Sequence, residues 1–347
     1  AHCLGQGAYG SVWLAWEQNT GKQVAIKFYS HRGGLDWSLL NREVEKLAML
    51  HTSRDIVRLN EVGWDAQPPF YVMEFLENGS LATVLKDGPL SPAETVRIAE
   101  AVLPALVHAH GSGILHCDIK PANVLMDADM QPRLADFGQS RLSNEQDPAL
   151  GTLFYMAPEQ ADLAAVPDAR WDVYALGALM YHCLCGHPPF RTPETEKKIL
   201  ATDSLRERLA VYRRTLQNAE RPSAHRRVAG VDKRLAHIVD RCLEIDPARR
   251  YPNAQAVLDA LKIRARQRAR RPLIVMGIVA PVLLLLALVP LSFQAGDRAV
   301  ATSEEAVVEQ ASENNKLAAK ATARMLESEL IGLVGQLRGA ANNPELA

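Results

Sequence analysis

Residues 116–123 read His-Cys-Asp-Ile-Lys-Pro-Ala-Asn, and Asp136-Phe137-Gly138 follows a short way downstream. Transfer of a phosphoryl group from a nucleoside triphosphate calls for a few residue types in one place. It needs a carboxylate beside the attacking hydroxyl, hard oxygen ligands for a divalent cation, and cations that neutralise charge on the group in flight. Asp118, Asn123, Asp136 and Lys120 supply these types, and Lys27 near the start of the chain adds a second cation. Taken singly, Asp118 and Asp136 would be read as loop caps or turn formers. The ordered combination is what points to chemistry.

Gly5-Gln6-Gly7-Ala8-Tyr9-Gly10-Ser11-Val12 could bring backbone amides against phosphates without side-chain obstruction. A dinucleotide site has similar glycine spacing but needs a helix immediately afterwards, and here a strand pattern follows. That next strand ends Val24-Ala25-Ile26-Lys27, which directs a lysine back under the glycine turn. Glu43, in a stretch of helical pattern over 39–50, is a candidate partner for Lys27.

Two different folding patterns must position these residues. Short β-type runs at 11–15, 23–28 and 70–75, interrupted by the helical stretch, predict a small strand-rich lobe. From Ser91 onward the pattern is mostly helical. Ser91-Pro92 places a cap before a first-turn proline, and Val96, Ala99, Val102, Leu103 and Leu106 recur at helical spacing. The expected fold class is therefore α+β, with a β-rich lobe followed by a larger helical one.

Composition sets the outer bounds. With 48% hydrophobic residues in 347 and a net charge of −1, the chain can bury a core, should hold about two folded units, and gives no reason to expect nucleic acid as a partner. Cys3, Cys117, Cys183, Cys185 and Cys242 show no metal-binding or disulfide spacing, so reduced thiols are expected. Residues 2–10 do not form a signal peptide, and Ala1 without an initiator Met suggests that a longer protein begins earlier.

Residues 272–296 carry no charge, and 273–293 are long enough as a helix to cross a hydrocarbon core of about 30 Å. Lys262, Arg264, Arg266, Arg268, Arg270 and Arg271 precede this span, while Asp297, Arg298, Glu304 and Glu305 follow it. The basic side is expected to stay cytoplasmic, in a single-pass protein of the cell membrane. Beyond the span, 303–339 reads as a long helix with an incomplete apolar stripe through Leu317, Met325, Leu326, Leu330, Leu333 and Leu337. The end at Asn343-Pro344-Glu345 suggests truncation.

The chain resembles the protein kinase family over residues 1–262, and within it the eukaryotic-like (Hanks-type) serine/threonine kinases of bacteria. Besides the motifs above, the resemblance rests on Gly151-Thr152, Met156-Ala157-Pro158-Glu159-Gln160, Asp172-Val173-Tyr174-Ala175-Leu176-Gly177 and Asp246-Pro247-Ala248-Arg249-Arg250. It implies a two-lobed kinase fold in which Gly5, Gly7 and Gly10 cover the phosphates of ATP. Lys27, paired with Glu43, would bind the α- and β-phosphates, and Asp118 would orient the hydroxyl and accept its proton. Asn123 and Asp136 would hold Mg²⁺, with Mn²⁺ as the alternative ion. Met73, Glu74 and Leu76 match the hinge that recognises adenine, and Val12, Ala25 and Leu125 match the apolar walls around the base. Glu159 would pair with Arg250, and Asp172 would support the catalytic loop. Lys120 and Thr152 look like the serine/threonine subtype, so protein Ser and Thr hydroxyls are the expected acceptors.

The resemblance and the composition together divide the chain into a kinase domain at 1–262, a basic linker at 263–272, the span at 273–293 and an external segment at 294–347. That last segment is similar to the first helix of Cache-type sensors, and equally to a dimerisation stalk, which makes a homodimer a candidate assembly. One position departs from the family pattern: Cys117 stands where most members carry an arginine that grips a phosphorylated activation loop. With Ser140 and Ser143 as the hydroxyls of 139–150, activation is expected to depend little on loop phosphorylation. The rival readings are a pseudokinase scaffold and a small-molecule phosphotransferase of related fold.

Overall fold

The computed structural model describes residues 2–7, 10–29, 37–137 and 150–341. Ala1, Ala8, Tyr9, Gly138, Ser140, Ser143 and residues 343–345, on which expectations above fall, lie outside them. The chain divides into one compact unit at 1–267 and a second at 268–347.

The first unit opens with β1 (His2–Gly7), β2 (Gly10–Trp16) and β3 (Gln23–Tyr29), then helix α1 (Trp37–Met49), β4 (Leu59–Gly63) and β5 (Phe70–Glu74). The strands form one antiparallel sheet in the order β1-β2-β3-β5-β4. Three of the strands and the helix match the sequence pattern. β4 does not stand out in it, because Asn60 and Glu61 break the apolar alternation.

Register decides what faces the cleft. Directly paired residues on neighbouring antiparallel strands project to the same side of a sheet, and side chains two apart on one strand share a face. Lys27 pairs with Val12 on β2 and with Tyr71 on β5, while Ala25 pairs with Leu14 and Met73. One face therefore carries Val12, Ala25, Lys27, Tyr29, Tyr71 and Met73 together. Gly10 pairs with Tyr29 and has φ +143°, and a Cβ there would stand 1.8 Å from the Phe28 carbonyl oxygen, so only glycine fits.

The helical lobe follows, with α2 (Leu81–Val84), α3 (Pro92–Gly111), a two-stranded ribbon of β6 (Val124–Met126) and β7 (Pro132–Leu134), and then α4 (Leu150–Leu153), α5 (Ala169–Cys185), α6 (Pro193–Leu200), α7 (Leu205–Asn218) and α8 (Lys233–Cys242). The expected cap is present: the Ser91 hydroxyl accepts the Glu94 N–H and the Glu94 carboxylate accepts the Ser91 N–H, with Pro92 in the first turn. The buried stripe of α3 runs through Thr95, Ile98, Ala99, Val102, Leu103 and Leu106, whereas Val96 is only half-buried at its edge. Burying each large aliphatic side chain of that stripe stabilises the lobe by about 1.5–3 kcal/mol. Pro104 lies within the helix without ending it.

α5 is the axis of the lobe, buried from Trp171 to Leu184 except at Tyr181's neighbour His182. Asp168 caps its start through the Arg170 N–H, and Gly186, at φ 78°, closes its end. α5 and α8 approach closely at Gly177, where an added Cβ would stand 2.5 Å from the Cys242 Cβ and 3.3 Å from the backbone carbonyl carbon of the same residue. All five cysteines are free thiols, with Cys183 buried in α5.

Helix α9 (Ala254–Ala341) begins inside the first unit, burying Ala254, Val257, Leu258 and Leu261. Arg264, grouped by sequence with the basic run, is itself buried and ion-pairs with Asp232 at 2.6 Å. In the second unit every residue from 277 to 336 is exposed, including Leu283, Leu284, Leu285 and Leu286. Among the described residues this is one helix long and apolar enough to cross a membrane.

Candidate active site

Lys27, Glu43 and Asp136, far apart in the sequence, meet in space. The Lys27 Nζ lies 2.8 Å from the Glu43 Oε1 and 3.0 Å from the Asp136 Oδ1. Burial works against the ammonium, but Asp136 and then Glu43 outweigh it and hold Lys27 well above its ordinary range. Burial also favours a neutral Asp136, yet Lys27 overrides it and keeps the carboxyl down at about 2. Glu43 is pushed up by burial, against the pull of Lys27.

A second cluster is built on the loop before β6. Lys120 Nζ donates to the Asp118 Oδ2 at 2.7 Å and reaches the Thr152 hydroxyl at 3.4 Å. Asn123 donates its amide to the Asp118 backbone carbonyl at 2.8 Å and to its Oδ2 at 3.0 Å. Burial raises the Asp118 carboxyl above the ordinary aspartate value, with Lys120 pulling it back.

The two clusters share a frame. Asp172 on α5 is fully buried and accepts the His116 and Cys117 N–H groups at 2.9 and 2.7 Å, together with the His110 Nε2 at 2.8 Å. The His116 Nε2 lies 3.0 Å from the Ala135 carbonyl, which can only accept, so the proton sits on Nε2. Its Nδ1 then accepts the Asp118 N–H at 3.2 Å. One imidazole thus joins the Asp118 loop to the residue preceding Asp136. Cys117 and Asp136 both take left-handed backbone conformations, at φ 62° and 63°, the kind of strained geometry that clusters at functional sites.

Of the apolar positions singled out in the sequence, Met73, Leu76 and Leu125 come together, with additions. Leu76 packs in a small cluster with Val57 and Ala135, flanked by Met73 and Leu125, and Ala25 is buried on the sheet above. Glu74 turns its carboxylate away, accepting the Arg58 N–H at 2.7 Å, and its own N–H donates to the Arg58 carbonyl at 3.0 Å. Gly5, Gly7 and Gly10 lie at the tip of the β1–β2 hairpin, where Gly7 pairs with Gly10.

Below the cleft, Arg250 is buried and forks onto Glu159 at 2.5 and 2.8 Å. It also donates to the carbonyls of Glu244, Ile245 and Arg170, and lies 4.9 Å from the Tyr174 ring. Sequence reading missed Val57, Ala135, Tyr71, Lys46 and His110. Only Lys46 had a local signal, standing one helical turn after Glu43 on the same face.

A five-stranded antiparallel sheet above a helical lobe, with paired acids and lysines at the junction, defines the two-lobed kinase architecture. Residues 1–260 match the family model for the protein kinase domain, and the chain belongs to that family, among its bacterial serine/threonine members. The DNA damage-responsive serine/threonine-protein kinase RqkA of Deinococcus radiodurans is 38% identical over 198 residues, covering 54% of this chain and 29% of that protein. Serine/threonine-protein kinase PknL of Mycobacterium tuberculosis is 32% identical over 275 residues, covering 77% of this chain and 65% of that protein. Serine/threonine-protein kinase pkn2 of Myxococcus xanthus is 33% identical over 272 residues, covering 74% and 31%. The chain therefore spans only part of the length of these curated relatives.

Family membership implies ATP and a divalent metal, and the donor set fits them. Asp136 is held ionised, and the Asn123 amide nitrogen is committed to Asp118, which leaves its Oδ1 as the oxygen that can serve a hard cation. Among the described residues no three His, Cys, Asp or Glu side chains converge on one point. An ion here would take its remaining ligands from phosphates and water.

Proposed function

We propose that this chain is a serine/threonine protein kinase that transfers the γ-phosphoryl group of ATP to protein hydroxyls, with Mg²⁺ as the working ion. The observation that carries this reading is the meeting of the Lys27–Glu43–Asp136 set with the Asp118–Lys120–Asn123 set through His116. Lys27 binds phosphate oxygens while Glu43 holds it, and the glycine hairpin closes over them. Asn123 and Asp136 would hold the ion, which would supply positive charge to offset that of the phosphates. Asp118 orients the acceptor hydroxyl and takes its proton, and Lys120 stabilises the charge that develops beside it. Met73, Glu74 and Leu76, with Val12, Ala25 and Leu125, form the adenine site.

The test is radiolabel transfer from ATP to a generic basic protein, comparing the unmodified chain with Asp118→Asn. A loss of about 10²-fold or more is expected. Equal incorporation refutes the assignment, and none in either protein favours a scaffold.

We further propose that the kinase domain is cytoplasmic, that 273–293 cross the cell membrane once, and that the external segment beyond is either the start of a Cache-type sensor or a dimerisation stalk. The exposed apolar face of α9 supports the span, since such a surface is costly in water. With Arg264 committed to Asp232, orientation rests on Lys262, Arg266, Arg268, Arg270 and Arg271. Fractionation of the whole chain and of a 273–293 deletion checks the span, which recovery of the whole chain in the soluble fraction would overturn.

A further inference from the structure

Glu43 is only 4% exposed, and a carboxylate removed from water must be met by donors. Lys27 is one, and the Tyr71 hydroxyl, donating to the same Oε1 at 2.8 Å, is the second. Strand register accounts for its presence: Tyr71 stands directly across from Lys27 on the cleft face of the sheet. The Lys27 ammonium lies 5.4 Å from the Tyr29 ring and 5.6 Å from the Tyr71 ring, so both aromatic faces steady the cation as well.

One turn further along α1, Lys46 points the same way, and its Nζ donates to the Phe137 carbonyl at 3.2 Å. The helix is thus fastened at two heights, to the sheet through Glu43 and Tyr71, and to the segment next to Asp136 through Lys46. Position 117 itself supplies no cation. The Cys117 side chain is a buried thiol, its carbonyl accepts from the Gln160 amide at 2.8 Å, and its N–H is held by Asp172.

We propose that Tyr71 and Lys46 are positioning residues that hold α1 inward, so that the Lys27–Glu43 pair stands without a phosphate on the activation segment. The proposal rests on the kinase reading. Where most of the family carries an arginine that answers to loop phosphorylation, this chain carries fixed contacts from the sheet to Glu43 on α1 and from Lys46 on α1 to Phe137.

The experiment uses the full chain in detergent micelles, stripped with a phosphatase. kcat and the KM for ATP are measured for the unmodified protein, Tyr71→Phe, Lys46→Met and the double variant, with Asp118→Asn as the inactive control. Lys27 acylation by an amine-directed reagent is followed against pH by mass spectrometry. Each single change should lower kcat/KM by about 3- to 10-fold and the double by about 30-fold or more. Lys27 should also acylate at lower pH once Glu43 drifts from it, while Tm read in parallel stays within about 2 °C of the parent, which separates a displaced Glu43 from general loosening of the fold.

Wild-type kcat/KM in the double variant overturns the proposal, as does a loss with an unchanged Lys27 profile, or a collapse of the unmodified protein's activity on phosphatase treatment. Should the double variant unfold, Tyr71→Phe, which keeps the ring, decides alone by the same two readouts. Activity in Asp118→Asn equal to the unmodified chain would instead sink the kinase reading itself.

Discussion

Replacing Glu159 by alanine isolates the contribution of one ion pair to the lower lobe. Arg250, whose side chain is fully buried, loses both arms of its fork and keeps the carbonyls of Glu244, Ile245 and Arg170 with the Tyr174 ring. Breaking one partner of a buried pair costs about 3–5 kcal/mol. The three remaining carbonyls, and access of water through the 21%-exposed Glu159 position, set the lower end at about 3 kcal/mol. For a unit of this size that lowers Tm by about 6–12 °C. Trp171, buried beside Arg170, reports the transition by fluorescence without interference from α9. Because both residues act through one contact, Glu159→Ala/Arg250→Met should cost at least about 1 kcal/mol less than the sum of the single changes. A Tm within about 2 °C of the parent, or strict additivity, refutes the reasoning.

Three further outcomes follow from the site. Gly10→Ala should raise the KM for ATP by about tenfold or more, since its Cβ meets the Phe28 carbonyl and its backbone is left-handed; an unchanged KM in steady-state kinetics refutes this. Lys120→Met removes the pull that opposes burial at Asp118, so that carboxyl rises further and the acid limb of kcat/KM moves to higher pH; a limb that stays or moves down counts against Asp118 as the base. Asp136, at about 2 against an ordinary 3.8, adds stability that is complete above 3.8 and lost as pH falls towards 2. The stability gap between the parent and Asp136→Asn, read from urea midpoints, should therefore shrink over that window, and a gap that widens on acidification refutes it.

The residues gathered at the candidate site were legible because phosphoryl transfer demands particular types at short spacing, as in 116–123 and at Asp136. Helix α3 announced itself through Ser91-Pro92 and its periodic core. What stayed hidden depends on long-range register. Nothing around Tyr71 indicates that it will stand opposite Lys27, because that is settled by how β3 pairs with β5. Val57 and Ala135 reach the Leu76 cluster only after the chain has folded back on itself, and each looks locally like an ordinary apolar residue. The three-residue strands β6 and β7 are too short for alternation to show. Arg264 read as one charge in a basic run, and only the position of Asp232 shows that it belongs to the first unit.

Gly177 has no side chain, yet α5 and α8 approach closely there, with no room for a Cβ beside Cys242. One turn and a residue earlier on the same rigid helix, Asp172 receives the N–H groups that aim the Asp118 loop. A single methyl group at 177 would force the helices apart, and the displacement would travel along α5 to Asp172 and from it to the Asp118 loop. The room left at Gly177 thus bears on the placement of Asp118, a residue far from it in the sequence.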